Sequence, residues 1–182
     1  MNRIQLLPLG TFPGETLIDL SAGLRKRFSV PCEVLPVQPD PAFAFNYARQ
    51  QYSSTEILAS LMKFGIPENE RILGVTAVDL YIPILTFVFG EAQLHGSCAV
   101  VSFHRLRQEF YGLPVNSTIL RERLLKEAVH ELGHTLPLSH CEDYQCVMSP
   151  SHGVEWIDLK TSQFCNSCRV AVTSPSAGIG RG

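Results

Sequence analysis

The pattern of apolar and polar positions divides the chain into short strands and well-spaced helices. Apolar runs bounded by glycine, proline or polar residues predict strands at 2–9, 32–37, 71–81, 87–94 and 98–103. Apolar residues at helical spacing predict helices over 15–28 and 55–64. This mixed order of elements predicts an α/β or α+β fold in which helices pack on a mixed, twisted sheet.

A longer helix begins after Asn116 and carries two stripes of different character. The apolar stripe recurs at i, i+4, i+7 and i+11 and consists of Leu125, Val129, Leu132 and Leu136. The neighbouring stripe has the same spacing and consists of Arg123, Glu127, His130 and His134. One side of this helix is therefore expected to face a core, and the other to present histidines to a cleft. Glu127 is expected to be solvated or to make a contact behind the histidines.

Three segments depart from regular patterns. Residues 38–52 contain two prolines and are predicted as a loop, and the chain after His140 is predicted to have little regular structure. Within 87–94, the interruption Gly90-Glu-Ala predicts a bulged edge strand.

Composition places the chain among folded soluble proteins. It has 182 residues, 45% of them hydrophobic and 18% charged, which suits a single domain with a sizeable core. We expect that domain to cover 1–172 and the glycine- and serine-rich tail 173–182 to be disordered. The net charge of −2 gives no reason to expect a nucleic-acid or acidic-membrane partner.

No segment suggests targeting or insertion into a membrane. The N-terminal stretch lacks a small-residue cleavage site, and the longest apolar stretch, 81–90, contains Pro83 and is too short to cross a bilayer. The expected location is therefore the cytoplasm, where thiols stay reduced. The expected state is a monomer.

Three histidines and one glutamate form the first candidate site. His130 and His134 lie one helical turn apart, so both imidazoles can reach one ion, and His140 can supply a third ligand if the chain reverses. Three neutral imidazoles leave a fourth tetrahedral position open for water, as in catalytic zinc sites. Glu131 is then placed to take a proton from that water as it attacks a carbonyl.

Four cysteines form the second candidate site. Cys141 and Cys146 are separated by four residues, and Cys165 and Cys168 by two. Four thiolates would close a tetrahedral shell, which is typical of structural zinc. Disulfide or redox use is the alternative, but a redox Cys-x-x-Cys should precede a helix in a βαβ unit, and this one lies near the end of the chain.

The whole run of histidines and cysteines resembles the archaemetzincins, a branch of the metzincin zinc metallopeptidases. The resemblance rests on His-Glu-x-x-His-x5-His-Cys-x4-Cys-x-Met followed by Cys-x-x-Cys, which begins at His130 and ends at Cys168. The segments 46–52, 79–81 and 87–92 resemble the family more weakly.

This resemblance implies roles for the residues of both clusters. It implies catalytic zinc on the three histidines, Glu131 as general base and a second zinc on the four cysteines, and hence two zinc ions per chain. It implies that Met148 forms a Met-turn, an apolar floor beneath the metal site. It also implies a metzincin fold with an upper subdomain over about 1–136 and a lower, irregular, zinc-stapled one over about 137–172.

The implied activity is hydrolysis of peptides or unfolded protein segments. The substrate would add as a strand to the upper rim of the cleft, at Phe89, Gly90, Glu91 and Ala92. Because histidine is the commonest metal ligand, His152, which follows Met148 closely, is a further but weaker candidate to line the cleft and touch substrate or metal.

One residue departs from the family's pattern. Pro137 stands where the family usually has glycine, three residues after the second histidine. Since proline fixes φ near −65°, the chain is expected to leave the helix differently and to place His140 less well. We therefore predict lower zinc occupancy at the histidines than at the cysteines. Pro137 also leaves open an alternative function, a zinc-stabilised protein that binds peptides or chain termini with little turnover.

Overall fold

The computed structural model describes residues 1–12 and 14–173. The strands are β1 (Arg3–Leu9), β2 (Cys32–Val34), β3 (Phe45–Asn46), β4 (Gln51–Ser53), β5 (Glu70–Thr76), β6 (Leu80–Tyr81), β7 (Gly90–Ala92) and β8 (Cys98–Ser102). The helices are α1 (Gly14–Phe28), α2 (Ser54–Met62), α3 (Ser117–His134), α4 (Val154–Leu159) and α5 (Asn166–Thr173). Within these described ranges, every helix is too short or too polar to span a bilayer.

A five-stranded mixed sheet forms the centre of the molecule, as the sequence predicted. Its order is β2-β1-β5-β8-β7, and all neighbours are parallel except β7, which runs antiparallel to β8 at one edge. A second sheet of three very short strands, β3-β4-β6, lies beside it. The sheet is therefore of the mixed kind, with an antiparallel edge strand on a parallel centre.

Both faces of the large sheet are covered, because successive side chains of its strands point to opposite sides. In β1, Ile4 and Leu6 belong to the core cluster shared with α1 and α3, whereas Leu7 and Leu9 belong to the cluster shared with α2. β5 and β8 alternate in the same way. The result is a layer of helices, a sheet and a further helix, and α3 is the helix that brings its histidines past the β7 edge.

Several elements differ from the sequence-based expectations. The expected strand 71–81 is two strands, because the chain turns out of the large sheet after Thr76 and Asp79 binds Arg105. The expected loop 38–52 contains β3 and the first two residues of β4, and the segment after His140 contains α4 and α5. Residues 174–182 of the expected tail lie outside the described residues, while Thr173 is the last residue of α5.

The expected bulge in 87–94 was also wrong. The three residues from Gly90 to Ala92 are the regular strand β7 itself, in register with Val101, Val100 and Ala99 of β8. Glycine disfavours strands in general, which is why the sequence pointed to an interruption there.

The ends of α3 are held by specific contacts. The Asn116 side chain caps the N-terminus by accepting a hydrogen bond from the Ile119 amide at 3.0 Å. At the other end, the His95 amide donates to the His134 carbonyl at 3.0 Å. Buried Arg71, at the start of β5, donates from Nε to Thr135 Oγ1 at 3.0 Å and from Nη2 to Thr135 O at 3.3 Å. A cation at this end also complements the helix dipole.

Replacing Arg71 with methionine is expected to lower the free energy of unfolding by about 2–4 kcal/mol, because buried carbonyls lose their donors. The Arg71 guanidinium also donates to the carbonyls of Glu68 and Glu70 at 2.7 Å each. Urea denaturation measures the change. Arg3→Met is the matched control, since Arg3 is half exposed and lies 3.9 Å from Glu70 Oε1; it should cost no more than about 0.5 kcal/mol. Equal losses in the two variants would contradict this role for Arg71.

Candidate active site and metal centres

His130 and His134 project from the last turns of α3 with their ring orientations fixed. His130 Nδ1 donates to the Val147 carbonyl at 2.8 Å, and His134 Nδ1 donates to the Leu138 carbonyl at 3.1 Å. Each bond leaves Nε2 unprotonated and free to coordinate, which is how metal-binding histidines are usually oriented. The two Nε2 atoms lie 3.1 Å apart.

His140 reaches the same point because the chain reverses around Pro137. The Leu138 amide donates to the Leu136 carbonyl at 2.7 Å, which makes Pro137 the central residue of a three-residue turn. Such a turn needs φ near −75° at its centre, a value that proline favours. The His140 ring lies 5.3 Å from that of His130 and 4.9 Å from that of His134, between centroids. The expectation that Pro137 would place His140 less well was therefore wrong, because proline achieves the reversal by a tight turn.

The three histidines fit a zinc ion. One nitrogen from each lies within 4.8 Å of the others, and donors around tetrahedral zinc at Zn–N of about 2.0–2.1 Å would be about 3.4 Å apart. Burial lowers the pKa of His130 well below its usual value, and burial also lowers the pKa of His134 and His140. The imidazoles are therefore neutral near pH 7, as ligands must be. His140 is exposed to solvent, which leaves the cluster open on one side.

Glu131 lies between this cluster and the edge strand β7. Its side chain is buried, and burial raises its pKa well above the usual value, with further increases from the carboxylates of Glu127 and Glu91. A dication on the neighbouring histidines would oppose that rise. Gly90 is what allows the close approach: a methyl group there would lie 2.7 Å from Glu131 Cγ and 2.5 Å from the Val100 carbonyl oxygen.

An open cleft runs between β7 and the chain that follows Met148. On one side it is lined by 85–92, which includes the four predicted rim residues from Phe89 to Ala92, and on the other by Pro150, Ser151 and His152. The Ser102 amide donates to the Phe89 carbonyl, and the Gln93 amide donates to the Cys98 carbonyl. The backbone groups of Phe89 and Gln93 therefore face β8. By the alternation of antiparallel ladders, the backbone groups of Gly90 and Ala92 point away from β8.

Met148 lies beneath the histidines and is fully buried. It packs under Gly133 of α3, where a methyl group would collide with the Met148 sulfur atom. The preceding residue, Val147, supplies the carbonyl that orients His130. The turn that contains Met148 is thus both the apolar floor of the site and the anchor of its first histidine.

The four cysteines form a second cluster next to the first. Their sulfur atoms lie within 4.8 Å of one another, and Cys141 Sγ is 3.8 Å from Cys165 Sγ. Sulfurs around tetrahedral zinc at Zn–S of about 2.3 Å would be about 3.8 Å apart, so the residues fit that ion. The Cys165 amide donates to Cys146 Sγ at 3.3 Å, and the Cys141 amide donates to the Met148 carbonyl at 3.0 Å. The second bond ties the cysteine cluster to the floor of the first site.

Sequence reasoning missed one residue near the site. Lys160 is fully buried, and its Nζ lies 2.8 Å from Glu127 Oε1. The expectation for Glu127 allowed solvation or a contact behind the histidines, and the structure has the second. A lone lysine after a short helix gives no signal in the sequence that could have marked it for burial. His152 does line the cleft, beside Ser151.

Comparison with known proteins identifies a family that matches most of the chain. The model of Peptidase family M54 matches residues 15–173. An archaemetzincin of Methanocaldococcus jannaschii is 46% identical over 166 residues, which are 91% of this chain and 90% of that protein. An archaemetzincin of Thermococcus kodakarensis is 43% identical over 92% of this chain and 94% of that protein.

Solved structures show the same fold. A zinc-dependent peptidase from Methanocorpusculum labreanum superposes with a TM-score of 0.86 at 31% identity, over 93% of this chain and 99% of that one. Archaemetzincin from Archaeoglobus fulgidus, crystallised with malonate, superposes with a TM-score of 0.81 at 38% identity, over 93% of this chain and 99% of that one.

The fold, the three-histidine cluster and the buried glutamate beside it define a zinc metallopeptidase. The extent of the family match then makes the assignment specific. The chain belongs to peptidase family M54, the archaemetzincins.

Substituting Gly90 with alanine tests the contact between the rim and Glu131. The added methyl group would collide with the Val100 carbonyl and with Glu131, so one of them must move. A shift of about 1 Å at a group that takes part in the reaction can cost about 100-fold, so if Glu131 is such a group, peptide hydrolysis should fall by about 10- to 100-fold. Zinc content should not change. The control is Gly14→Ala, because a methyl group added at Gly14 meets nothing within 4 Å, and it should leave the rate unchanged. Gly112→Ala would not serve, because Gly112 has a φ of +74°. A wild-type rate in Gly90→Ala would contradict the proposed contact.

Proposed function

We propose that His130, His134 and His140 hold the catalytic zinc and that Glu131 is the general base for peptide-bond hydrolysis. The observation that carries this proposal is the meeting of three oriented imidazoles and one buried carboxylate at the mouth of a single cleft. Zinc bound there would polarise the scissile carbonyl and acidify the water that it holds.

The chain's own residues supply the remaining steps. Glu131 is held out of solvent beside the histidines, where its carboxylate would take a proton from the attacking water and return it to the leaving amine. A dication on the histidines would favour the ionised form that this role requires. The hydrogen bonds from His130 and His134 to backbone carbonyls keep both rings in the coordinating tautomer. Met148 closes the site from below with apolar surface.

An extended peptide is the substrate that this cleft suits. β7 is the edge strand of the large sheet, and the backbone groups of Gly90 and Ala92 face away from β8 towards the cleft. A peptide that pairs with them would pass directly over Glu131, because Gly90 touches that side chain. Strand addition of this kind binds main chain and is therefore tolerant of sequence.

The four cysteines are proposed to hold a second, structural zinc. Their closed set of four sulfurs leaves no position for substrate. Thiolates as metal ligands suit a reducing compartment, so a cytoplasmic location fits this assignment. The boundary between an upper and a lower subdomain at 136/137 fits the position of the turn at Pro137, and a monomeric state stays a prediction.

The alternative function, peptide binding with little turnover, depended on a poorly placed His140. The turn centred on Pro137 brings His140 to the other two histidines, so this argument for it no longer holds. The membership in a peptidase family favours catalysis as well.

Replacing Glu131 with glutamine tests the assignment of the base. The amide cannot take up a proton, so hydrolysis of a quenched fluorescent peptide library should fall by about 100- to 10,000-fold. Glu122→Gln, an exposed position on the same helix, is the control and should behave as wild type. Metal content should stay the same in both variants. Undiminished hydrolysis in Glu131→Gln would overturn the assignment.

Metal removal tests the two zinc assignments separately. We expect two zinc ions per chain by elemental analysis, lost in two phases to a chelator. The ion on the histidines should leave first, because that cluster has three ligands and an exposed His140. Activity should disappear with the first ion, and the melting temperature should fall mainly with the second. The same experiment tests the predicted lower zinc occupancy of the histidine site. Retention of full activity after loss of the first ion would contradict the assignment of that ion to catalysis.

A further inference from the structure

Polar contacts attach α4, and Lys160 directly after it, to α3, and one of these contacts differs from the others. Arg123 pairs with Asp158 through bonds of 2.8 and 2.6 Å, and Lys126 Nζ donates to the Ile157 carbonyl at 3.0 Å. These two contacts reach solvent through the exposed Asp158 and the half-buried Lys126. The third, between Lys160 and Glu127, is sealed: the side chains are 0% and 4% exposed.

The sealed contact is not the sole attachment of the helix, whose Ile157 is buried in the core. Two other polar contacts also attach it, and apolar side chains of similar volume in place of a buried ion pair are often as stabilising or more so. The contact between Lys160 and Glu127 is also more than an isolated ion pair. Lys160 Nζ donates to the Ser149 carbonyl at 3.0 Å as well as lying 2.8 Å from Glu127 Oε1. Within the described residues, that oxygen accepts no well-aligned hydrogen bond, so the contact with Glu127 is mainly one of charge.

The positions of its two partners connect the pair to the active site. Glu127 is one helical turn before His130 and lines the cleft. Ser149 directly follows Met148, and the next three residues line the opposite wall of the cleft. Lys160 therefore connects two elements of the site. One is α3, which carries two of the histidines, and the other is the turn that contains Met148 and forms their floor.

We propose that Lys160 is a positioning residue, which anchors the Met148–Ser149 turn to α3 through Glu127 and so fixes the three-histidine cluster against its floor. The proposal rests on the proposed zinc site. A positioning role differs from a role in stability alone. If Lys160 positions the cluster, its loss should change the geometry of the histidine site and the rate at which that site releases zinc. Weakening only the docking of α4 should change neither.

The chain provides matched variants for this distinction. Lys160→Met removes both contacts but retains an unbranched side chain. Glu127→Gln keeps the shape of the side chain and leaves the bond from Lys160 to Ser149 in place. Asp158→Asn weakens the exposed contact with Arg123 on the same helix pair and serves as the control.

The measurements are the rate at which a chelator removes zinc from the histidine site, the visible spectrum of the cobalt-substituted protein, and kcat and KM for a peptide. In Lys160→Met we expect zinc release about tenfold faster, a changed cobalt spectrum, and kcat lowered about 10- to 100-fold with KM changed much less. Glu127→Gln should show a smaller effect in the same direction. Asp158→Asn should lower the melting temperature without altering the spectrum or kcat.

An unchanged release rate and spectrum in Lys160→Met would overturn the proposal, and so would equal effects in Asp158→Asn. If Lys160→Met does not fold, the double variant Glu127→Gln/Lys160→Met takes its place, because it leaves no charge buried and unpaired. The same changes are expected of it, since it also lacks the anchor on Ser149. Absence of hydrolysis in the wild type would refute the proposed function, yet zinc release and the cobalt spectrum would still test Lys160.

Discussion

The ending of α3 is the constraint on which the three-histidine cluster depends, because His134 closes the helix and His140 must return to it within six residues. Proline, a tight turn and the bond from His134 to Leu138 achieve this return together. The carbonyls that the helix leaves open are bound by the amide of His95 and by buried Arg71. Since both come from the large sheet or its connections, the sheet holds the end of the helix in place and with it the first two histidines of the cluster.

Charge is the second constraint at the site. Burial raises the pKa of Glu131, and the nearby carboxylates of Glu127 and Glu91 raise it further. Lys160 supplies one positive charge beside Glu127. Burying several carboxylates beside neutral imidazoles is costly unless further positive charge is present, and a dication on the histidines would provide it. The arrangement is therefore one that suits the metal-bound protein better than the protein alone.

The sequence predicted those features that arise from local periodicity and spacing. The two stripes of α3 follow from the helical period, and the histidine and cysteine clusters follow from the intervals between their members. The remaining features depend on contacts distant in sequence. Gly90 suggested a bulge because glycine weakens strands, yet here it allows β7 to touch Glu131. The burial of Lys160 depends on partners in α3 and in the Met148 turn, and no local pattern records them.

The short helices after His140 show why two clusters belong in one chain. α4 has six residues and α5 has eight, lengths at which an isolated helix is unstable in water. Few large apolar residues of this segment are buried, so side-chain ligands and polar contacts must order it. The same segment supplies the Val147 carbonyl to His130 and the Met148 floor. Whatever orders the cysteines therefore also orders the histidines, and a metal held by the four cysteines would in this way help to fix the geometry of the three-histidine cluster.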